Sequence, residues 1–454
     1  MNILILGYGV EGKSVENFFK HDSMLFEHTK IDILDNFKKE ELLFKDFSKY
    51  DLIFRTPSIP PKFIPTKQEK LTSATKYFFS NCPAPIIGIT GTKGKGTTCT
   101  LIRDLLKNLL KNNSETESNI YLVGNIGTPA LDILPELKKE DVVIYELSSF
   151  QLWDLKKSPS ISVILRIEPD HLDVHDSFEE YLNAKENIVK FQKENDFCIY
   201  FKDNKNTEKL IKNAPSKKLS YPVSDAKLYK VLQNILDSLS IPGPHNRENA
   251  EAALMACYAF FIKFQEYKKD FSLFLEDYKE PIKTALKNFR PLPHHLELVR
   301  TLNNISYYDD SFSTVLPSLE AAINSFPKTP LVLILGGKDK GFDMEPAKRL
   351  VFDNPYLVKA VLIGETAKKL SENEDPEKFF LAGNDFEKAI KSAQKLAEEK
   401  LDDEEKNSDT CLIDAKPTIK PPVVILSPCA SSFDMFKNYK ERGDIFKKIV
   451  NELE

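Results

Sequence analysis

Long apolar runs are missing from this chain of 454 residues. No segment approaches the ~20 consecutive apolar residues of a membrane-spanning helix, so we expect no membrane insertion. The apolar run at residues 3–6 meets glycines at once and is shorter than the apolar part of a secretory signal. The six cysteines are scattered, and none stands at the spacing of zinc ligands. This pattern predicts free thiols in a reducing compartment, the cytoplasm.

An excess of charge of one sign is also missing. The 63 basic and 68 acidic residues give a net charge of −5, and no long basic stripe is present, which argues against a nucleic-acid partner. We find no internal repeat of solenoid period. A hydrophobic fraction of 41% is enough for a sizeable core, and the length predicts three domains of about 150 residues each.

A glycine-rich turn at residues 91–98 stands between a β-branched run and a helical pattern. The sequence Ile-Ile-Gly-Ile-Thr (86–90) leads into Gly-Thr-Lys-Gly-Lys-Gly-Thr-Thr. Backbone N–H groups at a helix start favour an anion, the lysine can reach the outer phosphates, and a threonine hydroxyl can bind Mg²⁺. The turn therefore predicts a nucleoside triphosphate site, although Ile89 and Gly96 depart from the strict pattern. The alternative is an ordinary glycine-rich turn without a ligand.

A second glycine-rich turn lies near the start of the chain. Residues 7–12 read Gly-Tyr-Gly-Val-Glu-Gly between a strand and a helix, and the next strand, 31–34, ends in Asp35 and Asn36. This βαβ unit predicts a Rossmann-like domain. Its turn could bind a dinucleotide, bind a UDP group, or only pack the helix closely.

Three further apolar runs each end in a polar cluster. The clusters are Gly-Asn-Ile-Gly (124–127), Glu-Leu-Ser-Ser-Phe-Gln (146–151) and Asp-His-Leu-Asp (170–173). In a parallel sheet all three lie at one edge, beside the glycine-rich turn at 91–98, the predicted phosphate loop. Glu146 is there a candidate Mg²⁺ ligand, and His171 is a candidate for a metal or substrate contact. By its local pattern alone, Lys185 on the next helix is a solvated surface lysine.

Proline-rich segments at 82–85 and 289–293 mark two boundaries. Beyond the second, strand patterns alternate with helical patterns and predict another α/β domain. Candidate ligand positions in it are Asp310 and the turn 336–341. Ser432 is expected near the start of the last helix, where it could bind an anion or only cap the helix. Residues 402–422 are predicted to be a loop extension without a site.

Taken in order, these clusters resemble the Mur ligase family over nearly the whole chain. The motifs that carry the resemblance are Gly-Thr-Lys-Gly-Lys (91–95), Gly-Asn-Ile-Gly (124–127), Glu-Leu-Ser-Ser-Phe-Gln (146–151), Asp-His-Leu-Asp (170–173), His-Asn-Arg-Glu-Asn (245–249), Leu-Pro-His (292–294), Asp-Asp-Ser (309–311), Leu-Gly-Gly (335–337) and Ser-Phe-Asp-Met-Phe-Lys-Asn-Tyr (432–439). The resemblance implies an α/β fold of three domains. These are a Rossmann-like UDP-substrate domain at 1–84, a central P-loop ATPase-type mononucleotide-binding domain at 85–288, and a Rossmann-like amino-acid-binding domain at 289–454.

The resemblance also implies an activity. Within the family the pattern is closest to the members that join D-glutamate to UDP-N-acetylmuramoyl-L-alanine through an acyl phosphate, in peptidoglycan precursor synthesis. It implies ATP and two Mg²⁺ sites, with no nicotinamide or flavin. The implied partners are the two small-molecule substrates, and the implied state is a monomer.

The implied site residues fall into four groups. Catalytic and metal-binding roles fall to Lys95, Thr97, Glu146, His171 and Lys185. Of these, Lys185 matches the lysine that the family carbamylates. ATP would contact Gly91, Thr92, Lys93, Gly94, Lys95, Gly96, Thr97, Thr98, Asn246, Asn249, His295 and Asp310. The UDP substrate would contact Gly9, Val10, Asp35, Asn36, Thr56, Pro57, Ser58, Asn125, Ser149, Gln151 and His171. D-glutamate would contact Thr314, Lys340, Ser432 and Tyr439.

Three alternative functions stay open. The first is another Mur-type or folylpolyglutamate-type amino-acid ligase. The second is a nicotinamide oxidoreductase that uses the turn at 7–12, which leaves the turn at 91–98 unexplained. The third is a non-catalytic nucleotide-binding relative, because Gly96 replaces the hydroxyl residue after the loop lysine and His295 stands where the family usually has arginine.

Overall fold

Three separate sheets with intervening helices make up the described part of a computed structural model of the chain. The structure describes residues 1–21, 28–67, 69–111, 118–341, 343–409 and 420–454. The predicted α/β fold class with three sheet-containing parts is thus confirmed. Among the described helices, none combines the length and the apolar character needed to cross a membrane. Of the six cysteines, Cys411 lies outside the described residues and the other five are free thiols, as predicted.

The first sheet is parallel and has the strand order β2-β1-β3-β4. Its strands are β1 (Asn2–Leu6), β2 (Lys30–Leu34), β3 (Leu52–Arg55) and β4 (Leu71–Thr72). Its helices are α1 (Val10–His21) and α2 (Ala74–Asn81), with 3₁₀ turns at Lys39–Phe44 and Pro61–Phe63. The glycine turn joins β1 to α1, as the pattern predicted.

The second sheet is also parallel, with the order β10-β9-β8-β5-β7-β6. Its strands are β5 (Ile86–Thr90), β6 (Ile120–Gly124), β7 (Val142–Glu146), β8 (Ile161–Ile164), β9 (Phe197–Phe201) and β10 (Lys217–Tyr221). The helices that follow β5 in sequence are α3 (Lys95–Leu110), α4 (Ala130–Ile133), α5 (Ser149–Leu152), α6 (Phe178–Lys190), α7 (Lys205–Ile211), α8 (Ala226–Leu236), α9 (Pro244–Phe264), α10 (Phe271–Asp277) and α11 (Lys279–Asn288), with a 3₁₀ turn at Leu134–Glu136. Since β5 lies between β7 and β8, the strand order reverses there, and open α/β sheets bind ligands at such a point.

The third sheet is mixed, with the order β11-β12-β16-β13-β14-β15. Strand β11 pairs antiparallel with β12, and the other pairs are parallel. The strands are β11 (Glu297–Leu302), β12 (Ile305–Asp309), β13 (Leu331–Gly336), β14 (Leu357–Ile363), β15 (Phe379–Gly383) and β16 (Val423–Leu426). The helices are α12 (Leu316–Asn324), α13 (Glu345–Phe352), α14 (Ala367–Ser371), α15 (Phe386–Asp409) and α16 (Tyr439–Glu452), with a 3₁₀ turn at Pro376–Lys378.

The core explains how the chain divides. One compact unit is Met1–Leu239 with Arg247–Phe289, and the other is Ser240–Asn246 with Arg290–Glu454. The first two sheets share one apolar cluster, which includes Ile3, Phe78 and Tyr145. The third sheet is packed by two clusters drawn only from residues 296–453.

Two sequence-based expectations about helices were wrong. The last helix does not begin near Ser432 but at Tyr439, because Asn438 caps it by accepting N–H bonds from Lys440 and Glu441. The predicted loop at 402–422 is helical through Asp409, because it continues a helix that begins at Phe386 and whose preceding turns are rich in strong helix formers such as Ala, Leu, Glu and Lys. Residues 410–419 of that segment lie outside the described residues.

Candidate active site

The loop between β5 and α3 has the geometry of an anion-binding turn. Gly91 and Gly94 have φ angles of +157° and +81°, in the region that favours glycine. A Cβ atom on Gly94 would lie 2.5 Å from the Asn249 Oδ1 atom, so Asn249 of α9 lies directly against this loop. The first N–H groups of a helix have no intrahelical partner. Those of α3 therefore suit this turn to an anion such as phosphate.

Lys95 folds back over the same loop. Its Nζ atom donates to the carbonyl oxygens of Gly91 at 3.0 Å and Thr92 at 2.9 Å. Burial lowers the pKa of Lys95, and the nearby carboxylates of Glu146 and Asp170 oppose this effect. The lysine is thus held beside the turn, in a setting that strengthens its attraction for a phosphate group.

The other predicted loop residues differ in their surroundings. Thr92 Oγ1 donates to the Glu168 carbonyl at 3.0 Å. Lys93 is exposed, whereas Gly96 and Thr97 are half-buried. The buried Thr98 Oγ1 has no hydrogen-bond partner among the described residues. The loop therefore offers the hydroxyl of Thr97, two residues after Lys95, whereas Thr98 is fully buried.

Glu146 ends β7, next to β5, and is 3% exposed. Its Oε1 atom accepts from Asn125 Nδ2 at 3.1 Å, whereas its buried Oε2 atom has no hydrogen-bond partner in the described part of the chain. Burial raises the pKa of Glu146, and Lys95 is the main group that opposes the rise. An unpartnered buried carboxylate oxygen beside a phosphate loop fits Mg²⁺, which prefers hard oxygen ligands.

Lys185 on α6 is buried against the same strand end, with 2% of its surface exposed. Its Nζ atom donates to Thr90 Oγ1 and to the Gly91 carbonyl, both at 3.1 Å. Burial, followed by the positive charge of Lys95, lowers the pKa of Lys185 well below its usual value. The amine is therefore neutral far more readily than that of a surface lysine. The interpretation from the local pattern, a solvated lysine, was wrong.

The loop after β8 carries Asp170 and His171. The His171 side chain is 47% exposed, and its ring lies 4.9 Å from that of Phe150. Asp170 interacts electrostatically with both Lys95 and Lys185. The structure thus groups Lys95, Glu146 and Lys185, with Asp170 and His171, whose side chains are 41% and 47% exposed, at the rim of this group. Asp170 was not assigned a role from the sequence, although its neighbour in the Asp-His-Leu-Asp motif was.

The candidates for UDP binding in the first sheet surround the turn at 7–12. Tyr8 N–H donates to Asp35 Oδ1 at 3.2 Å, and Asn36 has a φ of +55°. A Cβ atom on Gly9 would meet nothing within 4 Å, and Val10 is 72% exposed. The turn is therefore open at its second glycine, where a ligand can approach the backbone.

The loop after β3 completes this edge. The Thr56 hydroxyl is buried and donates to the Leu6 carbonyl at 2.9 Å. Pro57 is half-buried and Ser58 is exposed. Thr56 thus fixes the loop to β1, and Ser58 is the side chain of this group that a ligand can reach.

Two residues predicted to contact the UDP substrate are buried and form hydrogen bonds with other residues of the chain. Ser149 is 2% exposed, and its Oγ atom lies 3.0 Å from His175 Nε2. Gln151, also 2% exposed, donates from Nε2 to Glu11 Oε1 at 2.8 Å and accepts from the Ser148 N–H at 3.0 Å. Gln151 therefore joins α5 to α1, a role that its place in the motif did not indicate. Asn125, in contrast, is exposed.

The second unit contains three of the remaining ATP candidates, Asn246, His295 and Asp310. Asp310 accepts from the Leu296 N–H at 3.0 Å and from Ser427 Oγ at 2.9 Å, and burial raises its pKa to about 7. The His295 ring stacks on Phe312 at 4.2 Å, and its Nδ1 atom donates to the Pro293 carbonyl at 2.8 Å.

Asn246 belongs to the same unit. Its Nδ2 atom donates to the Pro242 carbonyl at 2.6 Å. Asn249, which follows one helical turn later, belongs to the first unit. The ATP candidates are therefore distributed over both units.

The D-glutamate candidates divide into two pairs. Thr314 and Lys340 line one concave site, together with Lys338 and residues 429–431. Ser432 is buried, and its carbonyl accepts from the Met435 and Phe436 N–H groups. The Tyr439 ring lies 5.1 Å from that of Phe312. Ser432 and Tyr439 are not among the residues that line the concave site.

Two charged groups of the second unit stand out in the structure, and of their residues only Asp309 was a candidate metal ligand from the sequence. Arg442 is fully buried, and its guanidinium donates to the Ser311 and Ala430 carbonyls. His294, Glu297 and Asp309 form the one group of three metal-type ligands found among the described residues. The Lys447 Nζ atom lies 2.7 Å from Glu297 Oε2, so this group already has an ion-pair partner.

Comparisons with known proteins agree with this architecture. Residues 89–257 match the model of the Mur ligase middle domain. The chain is similar to a UDP-N-acetylmuramoylalanine–D-glutamate ligase of Clostridium botulinum, with 33% identity over 428 residues, 89% of this chain and 83% of the relative. A ligase of the same name from Ruminiclostridium cellulolyticum is 34% identical over 430 residues, with 89% and 83% of the two chains covered.

A solved structure shares the fold. The MurF ligase of Thermotoga maritima in complex with ADP superposes with a TM-score of 0.51 at 16% identity, over 89% of this chain and 90% of that chain. At that identity the likeness concerns the fold alone. The relatives at about a third identity cover most of both chains. The chain therefore belongs to the Mur ligase family, whose members are ATP-dependent ligases that form amide bonds.

Proposed function

We propose that this chain joins D-glutamate to UDP-N-acetylmuramoyl-L-alanine, with conversion of ATP to ADP and phosphate, in peptidoglycan precursor synthesis. The observation that carries the chemistry is the grouping of half-buried Lys95 with buried Glu146 and Lys185 at the carboxyl end of β5 and β7. The name of the relatives supports the choice of D-glutamate. The proposal assigns the UDP substrate to residues 1–84, ATP to 85–288 and the amino acid to 289–454, in a cytoplasmic monomer.

The first step makes an acyl phosphate. A carboxylate oxygen of the alanyl group attacks the γ-phosphorus of ATP, the bond to the bridging oxygen breaks, and ADP leaves. Lys95 and the N–H groups at the start of α3 hold the phosphates. In such a transfer, positioning and charge neutralisation supply nearly all of the catalysis.

The second step makes the amide bond. The amine nitrogen of D-glutamate attacks the acyl carbon, phosphate leaves with the electrons of the C–O bond, and the nitrogen loses a proton. Thr314 and Lys340, which line one concave site, are the residues to which we assign the carboxylates of D-glutamate.

The residues around Glu146 fit Mg²⁺. The unpartnered Oε2 atom of Glu146 supplies a ligand oxygen, and we assign Thr97 and His171 to the same task. Bound Mg²⁺ would neutralise the charge of the triphosphate.

The neutral amine of Lys185 suits the carbamate that the family resemblance implies. The amine nitrogen adds to the carbon of CO₂ and releases a proton, which leaves an anionic oxygen ligand on the end of the side chain. A protonated ammonium has no lone pair for this addition, so the lowered pKa of Lys185 supports the assignment.

The test is phosphate release from ATP by the purified chain. We expect release only when UDP-N-acetylmuramoyl-L-alanine and D-glutamate are both present. Other amino acids, supplied one at a time, are the controls. Release with another amino acid, or with a folate and L-glutamate, would redirect the proposal to a different ligase of the family. No release with any pair would favour a non-catalytic relative.

A further inference from the structure

A cleft of about 710 Å³ lies at the opposite edge of the second sheet from the phosphate loop. It is lined by Ile86, Ser160 and Asp196, which stand at the amino-terminal ends of β5, β8 and β9. The phosphate loop follows the carboxyl end of the same β5. At ~3.3 Å per residue, the length of the strand separates the two by roughly 16 Å. The cleft is therefore separate from the candidate active site, and its volume is typical of a small-molecule site.

Five lysines line this cleft: Lys139, Lys156, Lys157, Lys193 and Lys263. They come from four separate segments of the chain, so their grouping is a result of the fold. Lysines placed close together repel one another unless carboxylates or bound anions balance them.

The one carboxylate that lines the cleft is already engaged. Asp196 lies 3.0 Å from Lys263 Nζ and accepts the Lys193 N–H at 2.6 Å. In the described ranges, no carboxylate pairs with the side chains of Lys139, Lys157 or Lys193. The cleft thus keeps a surplus of positive charge, although the whole chain has a net charge of −5.

The wall of the cleft is apolar and includes an aromatic ring that solvent reaches. Phe191 is 41% exposed, and Phe264 and Pro159 lie beside it in the lining. The hydroxyl of Ser158 is used internally, since it donates to the Asn187 carbonyl at 2.8 Å. The features left for a ligand are therefore the ammonium groups of Lys139, Lys157 and Lys193 and the apolar wall.

We propose that this cleft binds a small polyanion that carries a diphosphate or polyphosphate group, at a second site that is independent of ATP binding at the phosphate loop. The anionic groups lie among the lysines, where they relieve the repulsion, and the body of the ligand rests on Phe191. Partial enclosure reduces the screening that salt imposes on fully exposed charges.

Inorganic pyrophosphate is the probe for this site. The full chain with Lys95→Ala serves as the background, because this change weakens anion binding at the phosphate loop. We expect equilibrium dialysis to detect pyrophosphate binding to this variant, with an affinity that falls as salt rises. Absence of binding to the Lys95→Ala chain overturns the proposal.

A cleft variant localises the binding. Added to the same background, Lys139→Glu, Lys157→Glu and Lys193→Glu should weaken pyrophosphate binding at least tenfold. The matched control is Lys205→Glu, Lys227→Glu and Lys230→Glu, three exposed lysines of the same unit with the same change in charge. The control should alter the affinity less than twofold. Equal losses in the two variants, or no loss in the cleft variant, contradict the proposal.

Two further measurements complete the test. Circular dichroism and the Tm should match between the cleft and control variants, and on the wild-type background the cleft variant should keep its basal phosphate release. Vesicles that contain phosphatidylglycerol probe a different ligand. If they bind through the cleft and pyrophosphate does not, the site recognises a lipid surface and our assignment is wrong.

Discussion

At the scale of the residue, burial decides the chemistry of Lys185. The amine faces Thr90 and Gly91, 95 and 94 positions earlier in the chain, and it lies near the charge of Lys95. A signal for this burial was present in the sequence. Tyr181, Lys185 and Ile188 are spaced on one face of α6, and the two neighbours are apolar. The face could therefore be predicted, whereas the charge state could not.

We predict that Lys185→Ala abolishes phosphate release and that added bicarbonate does not restore it. The reason is that the variant has no amine to form a carbamate. Lys190→Ala is the control, because Lys190 stands on the same helix, is exposed and pairs with Glu186. If Lys185→Ala retains full activity in the phosphate-release assay, the carbamate assignment is wrong.

Asp310 allows a prediction about pH. Its pKa is about 7 in the folded chain and about 3.9 when unfolded, so the folded state binds more protons between these values. Stability from this group is therefore present below about pH 4 and is lost as pH rises towards 7. Asp310→Asn, which stays neutral, should gain stability relative to wild type between pH 5 and pH 8, by on the order of 3 kcal/mol.

The measurement is the difference in Tm between Asp310→Asn and wild type at the two pH values. Other titrating groups are the same in both proteins and cancel in that difference. Asp353→Asn, at an exposed position, is the control. A difference in Tm that is the same at pH 5 and pH 8 would show that burial does not raise the pKa of Asp310.

At the scale of the element, the strand–turn–helix unit around β5 depends on its glycines. Gly94→Ala places a Cβ atom 2.5 Å from Asn249 Oδ1 at a φ of +81°. The left-handed conformation alone costs about 1–2 kcal/mol for a non-glycine residue, so we predict a fall in kcat/KM for ATP of roughly tenfold or more. Gly383→Ala is the control that carries the backbone strain without the contact. Gly383 has a φ of +61°, and a Cβ atom there would meet nothing within 4 Å. It should leave kcat/KM unchanged.

The link between α1 and α5 gives a second prediction at this scale. Gln151→Leu leaves the buried Glu11 carboxylate without its donor and removes the bond to Ser148. An unsatisfied buried group costs about 1–3 kcal/mol, and we expect a lower Tm. Adding Glu11→Met should recover part of the loss, because both polar partners are then gone.

Enzyme kinetics distinguish this structural role from the contact that the resemblance implies. If Gln151 only links α5 to α1, the double variant Gln151→Leu with Glu11→Met keeps the KM for the UDP substrate close to that of wild type. A higher KM with an unchanged Tm would instead make Gln151 a substrate contact.

Edge strands were the elements that sequence patterns found least well. Strand β10 begins with Lys217 and Lys218, which are exposed, and the sequence patterns did not reveal it or the edge strands β11 and β15. They also missed β9, although it lies inside the second sheet and is mostly buried. The wholly buried strands β5, β7 and β8 were found because they read as continuous apolar runs. An edge strand has fewer neighbours to cover it, so its apolar pattern is weaker.

At the scale of the whole molecule, separate cores predict separate folding. The two apolar clusters of the third sheet use only residues 296–453, so a fragment of residues 290–454 should unfold cooperatively by circular dichroism. A fragment of residues 1–84 should have a lower Tm than that fragment, because only one of its two apolar clusters lies wholly within it and the other is completed by the second sheet. Phe78 and Phe79, for example, pack on Tyr145 with ring centroids 5.6 and 5.5 Å apart. A Tm for residues 1–84 that equals or exceeds that of residues 290–454 would contradict this interpretation of the core.

The sequence by itself determined the local units of this protein. The turns at 7–12 and 91–98, the apolar runs before them and the helices after them depend on periodicity and on glycine at particular φ angles, which adjacent residues specify. The order of the motifs was sufficient to indicate the family. Only the tertiary structure decided the unpartnered oxygen of Glu146, the lowered pKa of Lys185, the link from Gln151 to Glu11 across 140 positions, and the lysine cleft. Burial and partners of this kind come from residues far apart in the chain, so no local pattern contains them.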